Sequence, residues 1–210
     1  MSQNDHWNII WANTIISEGP TNFCGKFLSL TSVPQNLTIL ELACGTGRDT
    51  KAFLEQGHTV YAVDFSQQAL TTVEEHLSSY VNAGKLHLFH LDLAKDFPVL
   101  ADVDMVYSHL GLHYFTLTRT TELFRLIFEI LKPGGLLGFA VKTVNDQLCG
   151  RGEKIEQEPH MYQYKGHVRH FMSEDLVSHY LQPFGEVRLE EVKETTDYGQ
   201  RTVFHCLAMK

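Results

Sequence analysis

At 210 residues and a formal charge of −8, the chain lacks the basic footprint of a nucleic-acid-binding domain, yet it is long enough to bury about 70% of its extended-chain surface in a core of its own. Its four cysteines, Cys24, Cys44, Cys149 and Cys206, stand far apart without a Cys-x-x-Cys pair. That spacing excludes a dense disulfide framework and fits a reducing cytoplasm, and the absence of a basic start, an apolar leader or an eighteen-residue apolar run predicts a soluble protein without a membrane partner.

Residues 1–36 carry two short helical patterns, Trp7 to Ile16 and Thr21 to Leu30, split by Gly19-Pro20. They read as a helical cap rather than a separate domain. Beyond them, short apolar runs alternate with amphipathic helices: a strand Leu37 to Leu42, a helix Arg48 to Gln56, a strand Thr59 to Asp64, a helix Ser66 to Val81, strands Leu86 to Leu91 and Val103 to Tyr107, a helix Thr118 to Leu131 and a strand Leu136 to Val141. This alternation predicts an α/β fold, a mostly parallel sheet with helices on both faces. Ser66 is an N-cap candidate and Lys132-Pro133-Gly134-Gly135 a helix stop. Residues 144–172 show no clear period and are too long for an ordinary connection, which predicts a lid or an irregular insertion. A helix Ser173 to Leu181 follows. Two last strands, Glu186 to Lys193 and Thr202 to Ala208, are joined by a short turn near Asp197 to Gln200, so they must pair antiparallel.

The segment Leu40-Glu41-Leu42-Ala43-Cys44-Gly45-Thr46-Gly47, with Asp64 seventeen residues after Gly47, reads as strand, glycine turn, helix and a second strand ending in a carboxylate. A parallel sheet sets the carboxyl ends of its strands along one edge, so turn and carboxylate face one crevice, where open α/β sheets bind nucleoside ligands. Gly45 and Gly47 permit a tight turn and close backbone approach, and Asp64 can accept both hydroxyl protons of a ribose. A dinucleotide fingerprint requires a third glycine where Thr50 stands. Glu41 would also repel a pyrophosphate but suits a ligand bearing an ammonium and a sulfonium. S-adenosylmethionine therefore fits this turn better than NAD.

Glu41 to Gly47 resembles the first motif of the class I S-adenosylmethionine-dependent methyltransferases, and Tyr61-Ala62-Val63-Asp64-Phe65-Ser66 the second. His90-Leu91-Asp92-Leu93, Asp104-Met105-Val106-Tyr107-Ser108 and Leu131-Lys132-Pro133-Gly134-Gly135 follow in the family's order. The resemblance covers residues 37–143 closely. Gly47-Arg48-Asp49, Gly57-His58 and Asp64-Phe65-Ser66 are further similar to the small-molecule methyltransferases of the tellurite-resistance and thiopurine type. The resemblance implies a Rossmann-like seven-stranded sheet in the order 3-2-1-4-5-7-6 with the last strand antiparallel, a single methyltransferase domain over residues 1–210, S-adenosyl-L-methionine as cofactor and a small-molecule methyl acceptor. It also implies cofactor contacts from Glu41, Ala43, Cys44, Gly45, Gly47, Asp64, Phe65 beside the adenine, Asp92 at the exocyclic amine, Leu93, and Ser108 at the methyl-transfer cleft.

His109, His113 and Tyr114 follow the fourth strand and are the catalytic candidates. The i, i+4 spacing of the two histidines could hold a metal, but Leu110 stands where a zinc site carries its glutamate, and no metal is expected. Amine methyltransferases acting on nucleobases carry an Asp/Asn-Pro-Pro-aromatic segment here; Ser108-His109-Leu110-Gly111 does not match. In the insertion, Tyr162 and Tyr164 could form apolar walls while Arg151 or Arg169 orients an anionic group, against the alternative of a solvated charged loop. Trp7 and Trp11, one helical turn apart, suggest packing on the domain, with contact to cofactor or substrate as the alternative. The expected activity is methyl transfer to a small molecule, with a thiol or metalloid among the acceptors; the rival is a protein that binds S-adenosylmethionine without transferring its methyl group.

Overall fold

The computed structural model describes residues 3–12, 19–30, 34, 36–196 and 199–210. Two helices, α1 (Gln3–Ala12) and α2 (Asn22–Leu30), precede the sheet. The expected continuation of the first helix through Ile16, and Asp197 of the expected final turn, lie outside the described residues. Next come β1 (Thr38–Leu42), α3 (Arg48–Glu55), β2 (Thr59–Asp64), α4 (Gln67–His76), α5 (Ser78–Asn82), β3 (Leu86–His90), β4 (Val103–His109), α6 (Leu117–Ile130) and β5 (Leu131–Lys142). The expected helix from Ser66 to Val81 is thus two helices, which part at Leu77, a residue with ψ of 22°. Ser66 caps the first of them, its hydroxyl accepting from the Ala69 N–H. Helix α6 ends at Ile130, with Leu131 as its C-cap, and Lys132-Pro133-Gly134-Gly135 follows in the first part of β5.

Residues 144–172 carry regular structure that their composition concealed: β6 (Glu153–Lys154), β7 (Met161–Tyr164) and β8 (His167–His170) form a small antiparallel sheet. These strands are two to four residues long, too short for an alternating pattern to register. The chain closes with α7 (Glu174–Leu181), β9 (Val187–Thr196) and β10 (Gly199–Met209).

Among the described residues the main sheet has seven strands in the order β3-β2-β1-β4-β5-β10-β9. Leaving out the three insertion strands, this is the expected 3-2-1-4-5-7-6 order. Neighbours from β3 to β5 pair parallel, and β10 runs antiparallel to both β5 and β9. Strand alternation divides the core between the two faces. Leu40 and Leu42 of β1 join Val106, Phe124 and Phe139 on one side, whereas Ile39 joins Phe27, Phe53 and Tyr107 on the other. The same alternation turns Glu41 to the Ile39 side, toward α3. Because successive connections wind in opposite directions from β1 and β4, the crevice outside their carboxyl ends is the topological switch point.

Candidate functional site

The carboxyl ends of the central strands open into a cavity of about 1220 Å³. Its floor is the turn after β1. Ala43 (φ 59°), Gly45 (φ 55°) and Gly47 (φ 81°) all take left-handed conformations, and the non-glycine Ala43 is of the strained kind that gathers at functional sites. The loop after β4 meets this turn. A Cβ on Gly111 would lie 2.6 Å from the Cβ of Ala43, so only glycine lets the two loops touch.

Asp64 ends β2 against the same turn, with Oδ2 accepting from the Gly45 N–H at 2.9 Å and Oδ1 from the Ser66 N–H at 2.9 Å. A carboxylate has about four acceptor positions, so these two bonds orient it and leave lone pairs for a ligand's hydroxyls. Burial raises its pKa, while the backbone N–H groups pull it down. Glu41 is buried and accepts from the Thr50 hydroxyl at 2.5 Å. Its pKa is held well above the carboxylate range, first by burial and then by the charge of Asp49. A cationic ligand entering here would favour ionisation of Glu41 and relieve that repulsion.

Of the residues expected at the cofactor, Glu41, Ala43, Cys44, Gly45, Asp64, Phe65, Asp92 and Leu93 line the cavity. Asp92 is engaged by Lys95 at 2.9 Å and by the Ala94 N–H at 3.0 Å. Gly47 and Ser108 are not in the lining. Gly47 caps α3, and a Cβ there would stand 2.9 Å from Val73 Cγ2, so its role is to let the turn pack on α4. Ser108 faces the other side of β4 from Tyr107 and His109, where its hydroxyl donates to the Leu42 carbonyl at 2.9 Å and ties β4 to β1.

The catalytic candidates separate in the same way. His109 and Tyr114 line the cavity, whereas His113 is fully buried behind it, its ring tilted 35° against that of Tyr114 at 4.3 Å, with no hydrogen-bond partner among the described residues for either ring nitrogen. Burial pushes His109 down to about 4 and Tyr114 up, although Arg169 counters the shift at Tyr114. Among the described residues no group of three histidine, cysteine or carboxylate side chains could hold a metal ion.

The site also draws on residues beyond these, of which Lys142 and Arg201 carried no recognisable sequence signal. Asp49, in the first turn of α3, accepts from the Thr21 N–H (2.7 Å), the Thr21 hydroxyl (2.8 Å) and the Tyr107 hydroxyl (2.8 Å), pinning the N-terminal segment to the sheet. Arg201, from the far end of the chain, reaches His109 at 3.3 Å and Glu194 at 2.5 Å. Lys142 pairs with Asp146 at 2.7 Å. Helix α1 roofs the turn: Trp11 sits where a Gly45 Cβ would come within 3.2 Å of its ring, and Trp7 stacks on Trp11 at 5.5 Å. The Trp11 Nε1 is buried without an acceptor among the described residues, a donor available to a ligand in the cavity.

Residues 39–135 match the family model of the methyltransferase domain. A malonyl-[acyl-carrier protein] O-methyltransferase of Buchnera aphidicola is 29% identical over 106 residues, 50% of this chain and 39% of that protein. The chain spans between 39% and 64% of the length of the curated relatives it matches, with 51% covered in a putative methyltransferase of Bacillus subtilis. The 1,6-didemethyltoxoflavin-N1-methyltransferase of Burkholderia thailandensis, solved with bound 1,6-didemethyltoxoflavin and S-adenosylhomocysteine, superposes with a TM-score of 0.70 at 18% identity, covering 99% of this chain and 83% of that one. TehB of Haemophilus influenzae superposes with a TM-score of 0.67 at 15% identity over 99% of this chain and 66% of its own. The fold is therefore that of the class I S-adenosylmethionine-dependent methyltransferases, as the five motifs implied.

Proposed function

We propose that this chain, whose residues 39–135 carry the methyltransferase domain, moves the methyl group of S-adenosyl-L-methionine to a small-molecule acceptor. The observation that carries the reading is the joined turn and carboxylate, in which the Gly45 N–H donates to Asp64 beside the buried Glu41. In this reading Asp64 accepts from the ribose hydroxyls and Glu41 faces the cationic methionine end. Phe65, Asp92 and Leu93 take the adenine side, and Trp11 offers its unpaired N–H to the cofactor. When bound, the cofactor supplies a methyl carbon that its sulfonium already makes electrophilic. The protein then has chiefly to align the acceptor, an effect that contributes about 7–11 kcal/mol in favourable cases.

Neither histidine after β4 is placed as a free base at the acceptor side: His113 lies behind the wall, and His109 faces Arg201. This supports an acceptor that reaches the site already ionised, such as a thiol or a metalloid oxyanion. Residues 1–210 form one functional unit in this reading, residues 1–36 serve as a cap, and residues 144–172 close over the acceptor and exclude water. Among the described residues no helix is long and apolar enough to cross a membrane.

The test is a screen of thiols, oxyanions and amines for release of S-adenosylhomocysteine, beside calorimetry with S-adenosylmethionine. Binding without release across the whole panel favours a non-catalytic binding protein, and failure to bind at all ends the reading. Hydrogen exchange with cofactor and acceptor should slow across β6 to β8; unchanged exchange there removes the lid from the proposal.

A further inference from the structure

The charges lining the cavity are unevenly divided. Among the described lining residues the carboxylates Glu41, Asp49, Asp64 and Asp92 all precede Lys142, with Arg48 the one cation among them, its Nε donating to the Gly19 carbonyl, whereas from Lys142 onward the charged lining residues are all cations: Lys142, Arg151, Lys165, Arg169 and Arg201. Two of these are partly neutralised from behind, Lys142 by Asp146 and Arg201 by Glu194, and neither acid is itself in the lining. Arg169 differs. Among the described residues no carboxylate pairs with it; its guanidinium stands 6.0 Å over the ring of Tyr114 and shares a hydrogen bond with that side chain, while its Nε is buried without a hydrogen-bond acceptor. A buried guanidinium donor left unsatisfied is costly unless a ligand supplies the acceptor, and the planar fork of arginine matches a carboxylate or phosphate.

We propose that the lid end of the cavity is an oxyanion subsite, and that the methyl acceptor carries a carboxylate or phosphate held by Arg169 on β8, with Lys142 and Arg201 deepening the positive potential behind it. The inference rests on the methyltransferase reading and names the acceptor class for that site. The segregation gives the acceptor a direction: its anionic group faces the cations of β5, β8 and β10, and its nucleophilic atom faces the acidic end. It also separates the two ligands, since a cationic methionine moiety is repelled from the lid end and an oxyanion from the end holding Glu41, Asp49 and Asp64.

The experiment uses the full chain saturated with S-adenosylhomocysteine and three probes of similar size, benzoate, phenyl phosphate and the neutral benzamide, titrated calorimetrically. At least one anion should bind about tenfold or more tightly than benzamide, the scale of one charge-assisted hydrogen bond, and more weakly as salt rises. The order of benzoate and phenyl phosphate identifies which oxyanion the subsite suits. Arg169→Gln should abolish the preference while leaving S-adenosylhomocysteine affinity intact, which also verifies that the variant is folded, and Arg169→Lys should retain part of it. The proposal is overturned if no anion binds more tightly than benzamide, or if Arg169→Gln keeps the full preference. An anion preference without S-adenosylhomocysteine binding would instead remove the cofactor reading and leave the subsite standing.

Discussion

Nη2 of Arg201 lies 3.3 Å from Nε2 of His109, and because a guanidinium has donors only, the imidazole meets it with its lone pair. The nitrogen that a general base would use is thus engaged, and burial, the leading cause, pushes the pKa of His109 down to about 4. His109 is better placed to hold Arg201 than to remove protons. For a thiol or oxyanion acceptor, His109→Ala should lower kcat/KM by less than the roughly 10²–10⁴-fold typical of a lost general base, and the wild-type rate should show no inflection near pH 6.5. A larger loss, with cofactor affinity retained and a matching inflection in the pH–rate profile, would return His109 to the role of base and point to a protonated acceptor.

The Asp64 carboxylate is held by two backbone N–H groups before any ligand arrives, so little ordering remains to be done on binding. Asp64→Ala should weaken S-adenosylhomocysteine binding by at least about 1.5–3 kcal/mol, the worth of a hydrogen bond to a charged group. Asp64→Asn is the sharper variant, since its amide must turn a donor toward either the Gly45 or the Ser66 N–H. Calorimetry on both reads the result, and equal affinity for wild type and Asp64→Ala would dismiss Asp64 as a ribose ligand.

How much of this was legible in the sequence depends on whether a residue's partner is local. The β1-turn-α3-β2 unit could be read because turn chemistry, strand alternation and helix period all act within a few residues. Thr50 shows both sides of this: its presence in place of a glycine told against a dinucleotide, but that its hydroxyl would donate to Glu41 required β1 and α3 to be packed together. Ser108 looked like a cleft residue because it ends a strand, yet only the side of β4 it faces decides that it serves the Leu42 carbonyl. Arg201 reaches a residue 92 positions away, and no local pattern encodes that distance. The insertion strands were hidden for the opposite reason: they are shorter than the window that reveals a period.

The Tyr107 hydroxyl donates at 2.8 Å to the Asp49 carboxylate, which also takes two donors from Thr21, and Tyr107 and Asp49 are both buried. Tyr107→Phe keeps the ring packing against Phe23 and Phe53 and deletes one bond to a buried charge. The expected loss is about 1.5–3 kcal/mol of unfolding free energy, visible as a lower denaturation midpoint with an unchanged slope. Because Asp49 also anchors the segment at Thr21, Asp49→Ala should cost more and weaken cofactor binding as well. A Tyr107→Phe variant as stable as wild type would mean that the Thr21 donors alone satisfy Asp49.

His113 gives the protein a pH dependence whose sign can be worked out. Its ring is fully buried without hydrogen-bond partners among the described residues, and burial first, then the charges of Lys142 and Arg169, hold its pKa well below the ordinary 6.5. Below pH 6.5 the unfolded chain therefore binds a proton that the folded chain refuses. The unfolded state gains, and stability falls as pH drops from 6.5 toward the folded value. Between pH 7.5 and 5 this single group therefore lowers stability as the pH falls. His109 and His170 act in the same direction, because their pKa values are also lowered by burial. Glu41 and Asp64 act in the opposite one, since their raised values lower stability as pH climbs above the normal carboxylate range. The wild-type curve alone therefore mixes opposing slopes, and a variant has to isolate the term. His113→Phe keeps a flat ring of similar size and removes two unsatisfied nitrogens, so at pH 7.5 it should be as stable as wild type or more so. Between pH 7.5 and 5 it should lose less unfolding free energy than wild type does, measured by urea unfolding at both pH values. Equal losses in the two proteins would mean that His113 takes up its proton in the folded state, and that its nitrogens are not sealed from water as their burial implies.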